Sequence, residues 1–242
     1  PESSRSQDSA PHRLRQSPVG RETVQDRVYG EMRRALIGGF FEPGQVLTIR
    51  QLADALMTST MPVREALGRL ISEQALEALP NRQIRVPPVT LYRLSDLLRA
   101  RILIEGEAIA LAARQMTPEQ LDRAAEILGE WEVLRLGDSP GSVNREVTLN
   151  QAFHFEIYSA CGSEVLLPMI ESLWLQSGPC TRAAIFAFSE AGETDAARYH
   201  HAILDALHRG DSDAAREALI GDISRPFAFL CEKLQTSGAK ET

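Results

Sequence analysis

The sequence predicts a mainly α protein in two unequal parts: a small N-terminal unit of three helices closed by a short hairpin, then a C-terminal all-α antiparallel helical bundle. Three observations predict it. Apolar residues recur at three- and four-residue spacing along most of the chain, and only 76–79 and 84–86 read as strand. Pro87-Pro88 separates a region of short elements from one of long elements. Charge divides at the same place, with 12 Lys/Arg against 10 Asp/Glu in residues 1–90 and 14 against 23 in residues 91–242. The net charge of −7 is therefore uneven, and only the first part suits a polyanion.

Composition narrows the classes further. With 43% apolar and 24% charged residues over 242 positions, a largely disordered chain, a collagen-like fibre and a small disulfide scaffold are excluded. Cys161, Cys180 and Cys231 fit no disulfide framework and no CxxC metal motif, so a reducing, cytoplasmic setting is expected. No apolar run approaches about 18 residues, so no membrane-spanning helix is expected. No signal peptide is expected either.

The elements follow in order. Residues 1–20, rich in Ser, Pro, Gln and Arg, read as a flexible tail. From Arg21 a helical pattern runs through Val24, Val28, Met32, Ala35 and Leu36 and stops at Gly38-Gly39. After the turn Glu42-Pro43-Gly44, a second helix covers 49–56 with Thr48 as its N-cap. A break at Thr58-Ser59-Thr60 precedes a third helix, from near Met61-Pro62 to about Gln74. Two short strands flank the turn at 80–83, which carries Arg82. Beyond Pro88 helices are expected over roughly 91–115, 118–136, 144–161, 163–190, 193–209 and 212–236, with a kink at Pro179. The expected units are thus a tail at 1–20, a first domain at 21–88 and a second at 89–237.

Two short helices joined by a tight turn and followed by a wing make a winged helix-turn-helix, which docks on double-stranded DNA. The N-terminal residues of the second helix of the pair enter the major groove. Here these are Ser59, Thr60, Met61 and Arg64. Arg64 can place its guanidinium on guanine O6 and N7, and Met61 can touch a thymine methyl. Arg50, early in the preceding helix, is placed for a phosphate. Arg82 and Arg85 flank the wing tip, within reach of the minor groove or backbone.

Bundle interiors are where ligands and metals are held by facing helices. Asn150 and His154 stand at i, i+4 and share a helix face. His200 lies 10 residues before Gly210 and Asp222 lies 12 after it. At 1.5 Å per residue the two are about 15 Å and 18 Å from the turn, and folding back brings them level. One carboxylate, two imidazoles and an amide oxygen from three helices suit a divalent metal such as zinc, nickel or manganese. The same His/His/Asp set allows a metal-dependent enzyme as the alternative, although that would leave the winged helix without a role.

Arg50-Gln51-Leu52-Ala53 and the run Met61-Pro62-Val63-Arg64-Glu65-Ala66-Leu67-Gly68-Arg69-Leu70 resemble the winged-helix domain of GntR-family transcriptional regulators over about residues 22–88. Thr60 and Met61 replace the Arg and Thr usual there, and Gln83 stands where the wing often has Gly. Residues 91–236 resemble the FCD domain of the FadR subfamily, in its six-helix VanR-like branch. The pieces that carry this are Arg101-Ile102-Leu103-Ile104-Glu105, Asn150-Gln151-Ala152-Phe153-His154 and His200-His201-Ala202-Ile203-Leu204-Asp205-Ala206. The resemblance implies a metal held by one Asp and three His. His154 and His200 match two of those His, Asn150 stands at the Asp position and Asp222 at the last His. It also implies a small organic-acid effector, with Arg101 as its carboxylate partner and Arg182 a weaker candidate. The alternative for Arg101 is an ion pair with Glu105 at i+4. By the same resemblance the protein is expected to be a homodimeric repressor on a palindromic operator.

Overall fold

Capping decides where the first helices start. The computed structural model describes residues 23–80, 83–135, 142–190 and 196–238. The expected tail at 1–20 and Arg82 lie outside them. Thr23 opens α1 (Val24–Ile37) with a capping box: its hydroxyl accepts from the Asp26 N–H and the Asp26 carboxylate accepts from the Thr23 N–H. Thr48 caps α2 (Ile49–Ala55), its hydroxyl accepting from the Gln51 N–H at 3.3 Å. Ser59 stands at the N-cap of α3 (Thr60–Ser72) without a side-chain cap bond. Met57, at φ 48°, makes the tight reversal between α2 and α3. The third helix thus begins a residue earlier and ends two earlier than expected.

Strands β1 (Val46–Leu47), β2 (Glu77–Ala78) and β3 (Ile84–Arg85) form one antiparallel sheet in the order β1-β3-β2. Arg85 faces Val46 on one side and Glu77 on the other. The wing therefore has a third strand that the sequence did not announce, because two residues carry no alternation.

The second half holds α4 (Leu91–Ala112), α5 (Pro118–Arg135), α6 (Ser142–Ser159), α7 (Leu166–Glu190), α8 (Ala196–His208) and α9 (Ser212–Gly238). Helix α4 packs on α9, α7 and α6, and α8 lies between α9 and α5. The helix expected from 163 starts at 166, and the one expected to 115 ends at 112. Helices α7 and α9 continue through Pro179 and Pro226.

The two halves share one apolar core. Val28, Met32, Leu36 and Ile37 of α1 belong to the same buried cluster as Trp174 and Leu175 of α7 and Ile223 of α9. Helix α1 packs on both α3 and α7, and Arg33 pairs with Glu171 at 2.8 Å across the seam.

Candidate functional site

All six helices of the second half line one cavity. Helix α4 brings Arg101, with Glu105 behind it; α6 brings Asn150 and His154, with Tyr158 behind them; α8 brings His200; and α9 brings Asp222. Trp131, Arg135, Glu146, Ile185 and Phe227 complete much of its wall.

The ligand set predicted by spacing does come together. Asp222 lies between the two imidazoles, with Oδ2 3.1 Å from His154 Nε2 and Oδ1 3.2 Å from His200 Nε2. His154 and His200 are 1% and 2% exposed, so water does not compete for them. The donor atoms of the three residues all lie within 4.8 Å of one another. Asn150, half-buried, lines the same cavity.

Hydrogen bonding holds the His154 ring from both sides. Tyr158 donates its hydroxyl proton to Glu105 Oε2 at 2.6 Å. Its oxygen also lies 3.3 Å from His154 Nδ1. On its other side Nε2 pairs with the Asp222 carboxylate, a place where a metal cation could stand in for the proton. Neither ring nitrogen of His200 has a hydrogen bond among the described residues. Two orphaned buried nitrogens and a shared carboxylate are a donor set that a divalent metal satisfies.

Charge follows the same logic. Burial beside Trp131 and Phe153 pushes the His200 imidazole down to about 4, despite the upward pull of Asp222. Burial raises the Asp222 carboxyl, but His200, His154 and Arg101 outweigh that and hold it below its ordinary value. A neutral His200 stabilises the metal-free fold fully above its unfolded value of 6.5, and that stability is lost as pH falls toward 4. In chelator, urea unfolding should therefore show a loss of about 3 kcal/mol between pH 7 and pH 4 from this group. A flat profile over that range would contradict the burial argument.

Arg101 forms the ion pair the sequence allowed. Its Nε donates to Glu105 Oε1 at 2.6 Å and its Nη2 to Oε2 at 3.2 Å. Nη1 reaches Thr181 Oγ1 at 3.4 Å. Arg101 also lines the cavity, so its role there is exercised through a guanidinium already neutralised by Glu105. Arg182 lies elsewhere: Thr181 lines the cavity, whereas the Arg182 stem packs on Gly39 at the seam with the first half. One step of about 100° around α7 separates the two faces. Arg182 is thus not among the residues that line the cavity.

Sequence reasoning missed Glu105 as a hub and Tyr158 and Trp174 as its partners. Trp174 Nε1 donates to Glu105 Oε2 at 3.0 Å. Tyr158 at i+4 from His154 was the available signal; the Trp174 contact, 69 residues away in sequence, had none. The cavity also holds the Arg135–Glu146 pair at 3.3 Å, where burial raises the Glu146 carboxyl and Arg135 opposes it. Next to the cluster α8 and α9 approach closely. The Tyr199 ring rests on the backbone of Gly221, where a Cβ would overlap the ring edge and lie 2.8 Å from Cδ1.

At the other end of the molecule Arg50, Ser59, Thr60, Met61 and Arg64 are all exposed. They gather at the start of α2 and the start of α3. Arg85 is half-buried and its Nη2 donates to Glu77 at 2.7 Å, so it is tied to the wing and less free to reach out than expected. No helix among the described residues is long and apolar enough to cross a membrane.

The comparisons agree with this division. The profile of bacterial regulatory proteins of the gntR family matches residues 24–86, and that of the FCD domain matches residues 96–225. HTH-type transcriptional regulator McbR of Escherichia coli (strain K12) is 31% identical over 207 residues, covering 86% of this chain and 92% of the relative. HTH-type transcriptional repressor GlaR of the same strain is 29% identical over 150 residues, covering 60% and 67%. The solved structure of E. coli McbR/YncC superposes with a TM-score of 0.79 at 30% identity, over 88% of this chain and 99% of that one. A GntR regulator from Rhodococcus sp. RHA1, at 22% identity, shares the fold with a TM-score of 0.69 over 85% and 96%. These relatives are regulators, which leaves the enzyme alternative without support. A winged helix with an exposed reading end, joined to a helical domain with a built-in ligand cavity, is a DNA-binding transcriptional regulator, and the chain belongs to the GntR family, with the FCD domain of its FadR subfamily.

Proposed function

We propose that the protein is a cytoplasmic homodimeric repressor whose domains span 21–88 and 89–237, and whose helical domain holds a divalent metal and a small organic acid. The observation that carries the metal is two buried imidazoles, His154 and His200, facing one shared Asp222 carboxylate, with neither His200 nitrogen hydrogen-bonded among the described residues. Asn150, His154, His200 and Asp222 are its ligands, and zinc, nickel or manganese matches this mixture of nitrogen and oxygen donors. When bound, the metal offers open positions to an effector carboxylate. Arg101 stands in the same wall and favours an anion there, while Glu105 limits how far it can turn. Asn150 is a weaker donor than an imidazole, which lowers affinity relative to a three-His site. Repression is supported by the relative named as a repressor.

On DNA, each winged helix takes one half-site of a palindromic operator. Arg64 reads a guanine and Met61 a thymine methyl; Arg50 holds a phosphate. The hydroxyl of Ser59, uncommitted to capping, and that of Thr60 meet the backbone at the start of α3. Arg82 and, once released from Glu77, Arg85 attend the wing. Titration of an operator fragment with Arg64→Ala should show a loss of about 5- to 150-fold in affinity, the equivalent of about 1–3 kcal/mol. Affinity within about threefold of wild type would remove Arg64 from the groove. Binding should also weaken with salt, and a flat salt response would refute phosphate docking.

A further inference from the structure

We propose that events at the His154/His200/Asp222 cluster reach the DNA-binding half through one buried hydrogen-bond chain, His154–Tyr158–Glu105–Trp174, which ends where Gly178 of α7 seats on α1. The proposal rests on the reading that the cluster binds a metal.

The chain is continuous and dry. His154 Nδ1 meets Tyr158 Oη at 3.3 Å, and Tyr158 Oη donates to Glu105 Oε2 at 2.6 Å. That same oxygen accepts from Trp174 Nε1 at 3.0 Å. Arg101 grips the other side of Glu105 and extends to Thr181 at 3.4 Å. Glu105 thus receives the signal from α6 and holds α7 at two points seven residues apart, Trp174 directly and Thr181 through Arg101. Glu105 is 0% exposed, Trp174 1% and Tyr158 0%, so no water can take up slack in these bonds.

Gly178 lies between those two points. On the neighbouring face of α7 it meets α1 so closely that a Cβ would overlap the Leu36 carbonyl oxygen and lie 2.9 Å from the Ile37 Cα. Nothing flexible stands between the two backbones there. Arg33–Glu171 and the Arg182 stem on Gly39 frame the same contact. Helix α1 in turn packs on α3, the helix that carries Arg64. A turn or shift of α7 set by Glu105 therefore moves α1 as a rigid neighbour and re-aims the reading end. A metal on His154 Nε2 in place of its pairing with Asp222 fixes the ring on which the chain begins, which gives the ligand its differential interaction with the two arrangements.

Hydrogen exchange of the full-length protein tests this, with zinc alone as the probe and elemental analysis to report its binding. In wild type, zinc should slow exchange of the amides of residues 33–38 about fivefold or more. Tyr158→Phe removes one hydroxyl and cuts the chain; zinc should still bind, more weakly, while the 33–38 response disappears. Zinc that binds wild type without altering 33–38, or a response that survives intact in Tyr158→Phe, overturns the proposal. If wild type takes up no zinc, the metal reading fails, and Gly178→Ala decides the relay by itself. It should speed exchange at 101–105 and 154–158 as well as at the seam, and a disturbance confined to the seam overturns the relay. Should Gly178→Ala prove insoluble, Glu171→Gln loosens the same seam by removing the Arg33 pair, with the same outcomes at smaller size.

Discussion

Glu105→Gln should cost the protein about 3–5 kcal/mol of folding stability. Glu105 accepts from Arg101, Tyr158 and Trp174 and has no solvent exposure. The amide keeps the volume and removes the charge. Arg101, 3% exposed, would then be a buried cation without a counter-ion, and one of the amide's two ends would present donors to other donors. Burial opposes the charge on Arg101, and the adjacent Glu105 carboxylate more than compensates, holding the guanidinium above its ordinary value. The measurement is a denaturant midpoint, or a melting temperature expected to fall by roughly 6–20 °C. A loss under about 1 kcal/mol would mean that the four-group cluster is not a structural necessity.

His154→Ala should strip the purified, untagged protein of a metal that wild type carries near-stoichiometrically. Removing a ligand outright should weaken binding by more than the roughly 10- to 100-fold typical of losing an outer partner. His200→Ala and Asp222→Asn should behave alike, since the three donors sit within 4.8 Å of each other. Asn150→Ala should have the smallest effect of the four, because an amide oxygen is the weakest donor in the set. Elemental mass spectrometry reads the outcome directly. Absence of metal in wild type under metal-replete growth would sink the ligand assignment and leave the cavity to an organic anion alone.

Much of the architecture was legible in local sequence. Thr48 ahead of an apolar-periodic run gave the start of α2, and Val63, Ala66, Leu67 and Leu70 gave the buried face of α3. Asn150 and His154 at i, i+4, and His200 and Asp222 at nearly equal distances from Gly210, were enough to place these four residues in one cavity. What stayed hidden was long-range. A two-residue strand such as β1 has no period to detect, and it exists because Leu47 and Ile84 pair across a sheet. Pro87-Pro88 suggested two separate cores, yet α1 is buried against α7, 138 residues apart at the Arg33–Glu171 pair. Arg182 looked like an anion ligand by residue type, and only the rotational phase of α7, with Thr181 on the cavity, shows that it faces the seam.

Gly221 precedes Asp222 and Tyr199 precedes His200, so a close contact between α8 and α9 is one residue from both His200 and Asp222. A single methyl group at 221 would wedge those helices apart while leaving every donor atom in the chain. On the proposed reading of the cluster, such an allele would behave in a bacterium as a regulator blind to its signal although its candidate ligand residues are intact. The mutational target for unresponsiveness is therefore wider than the donor set, and a genetic selection for it samples spacing as well as chemistry.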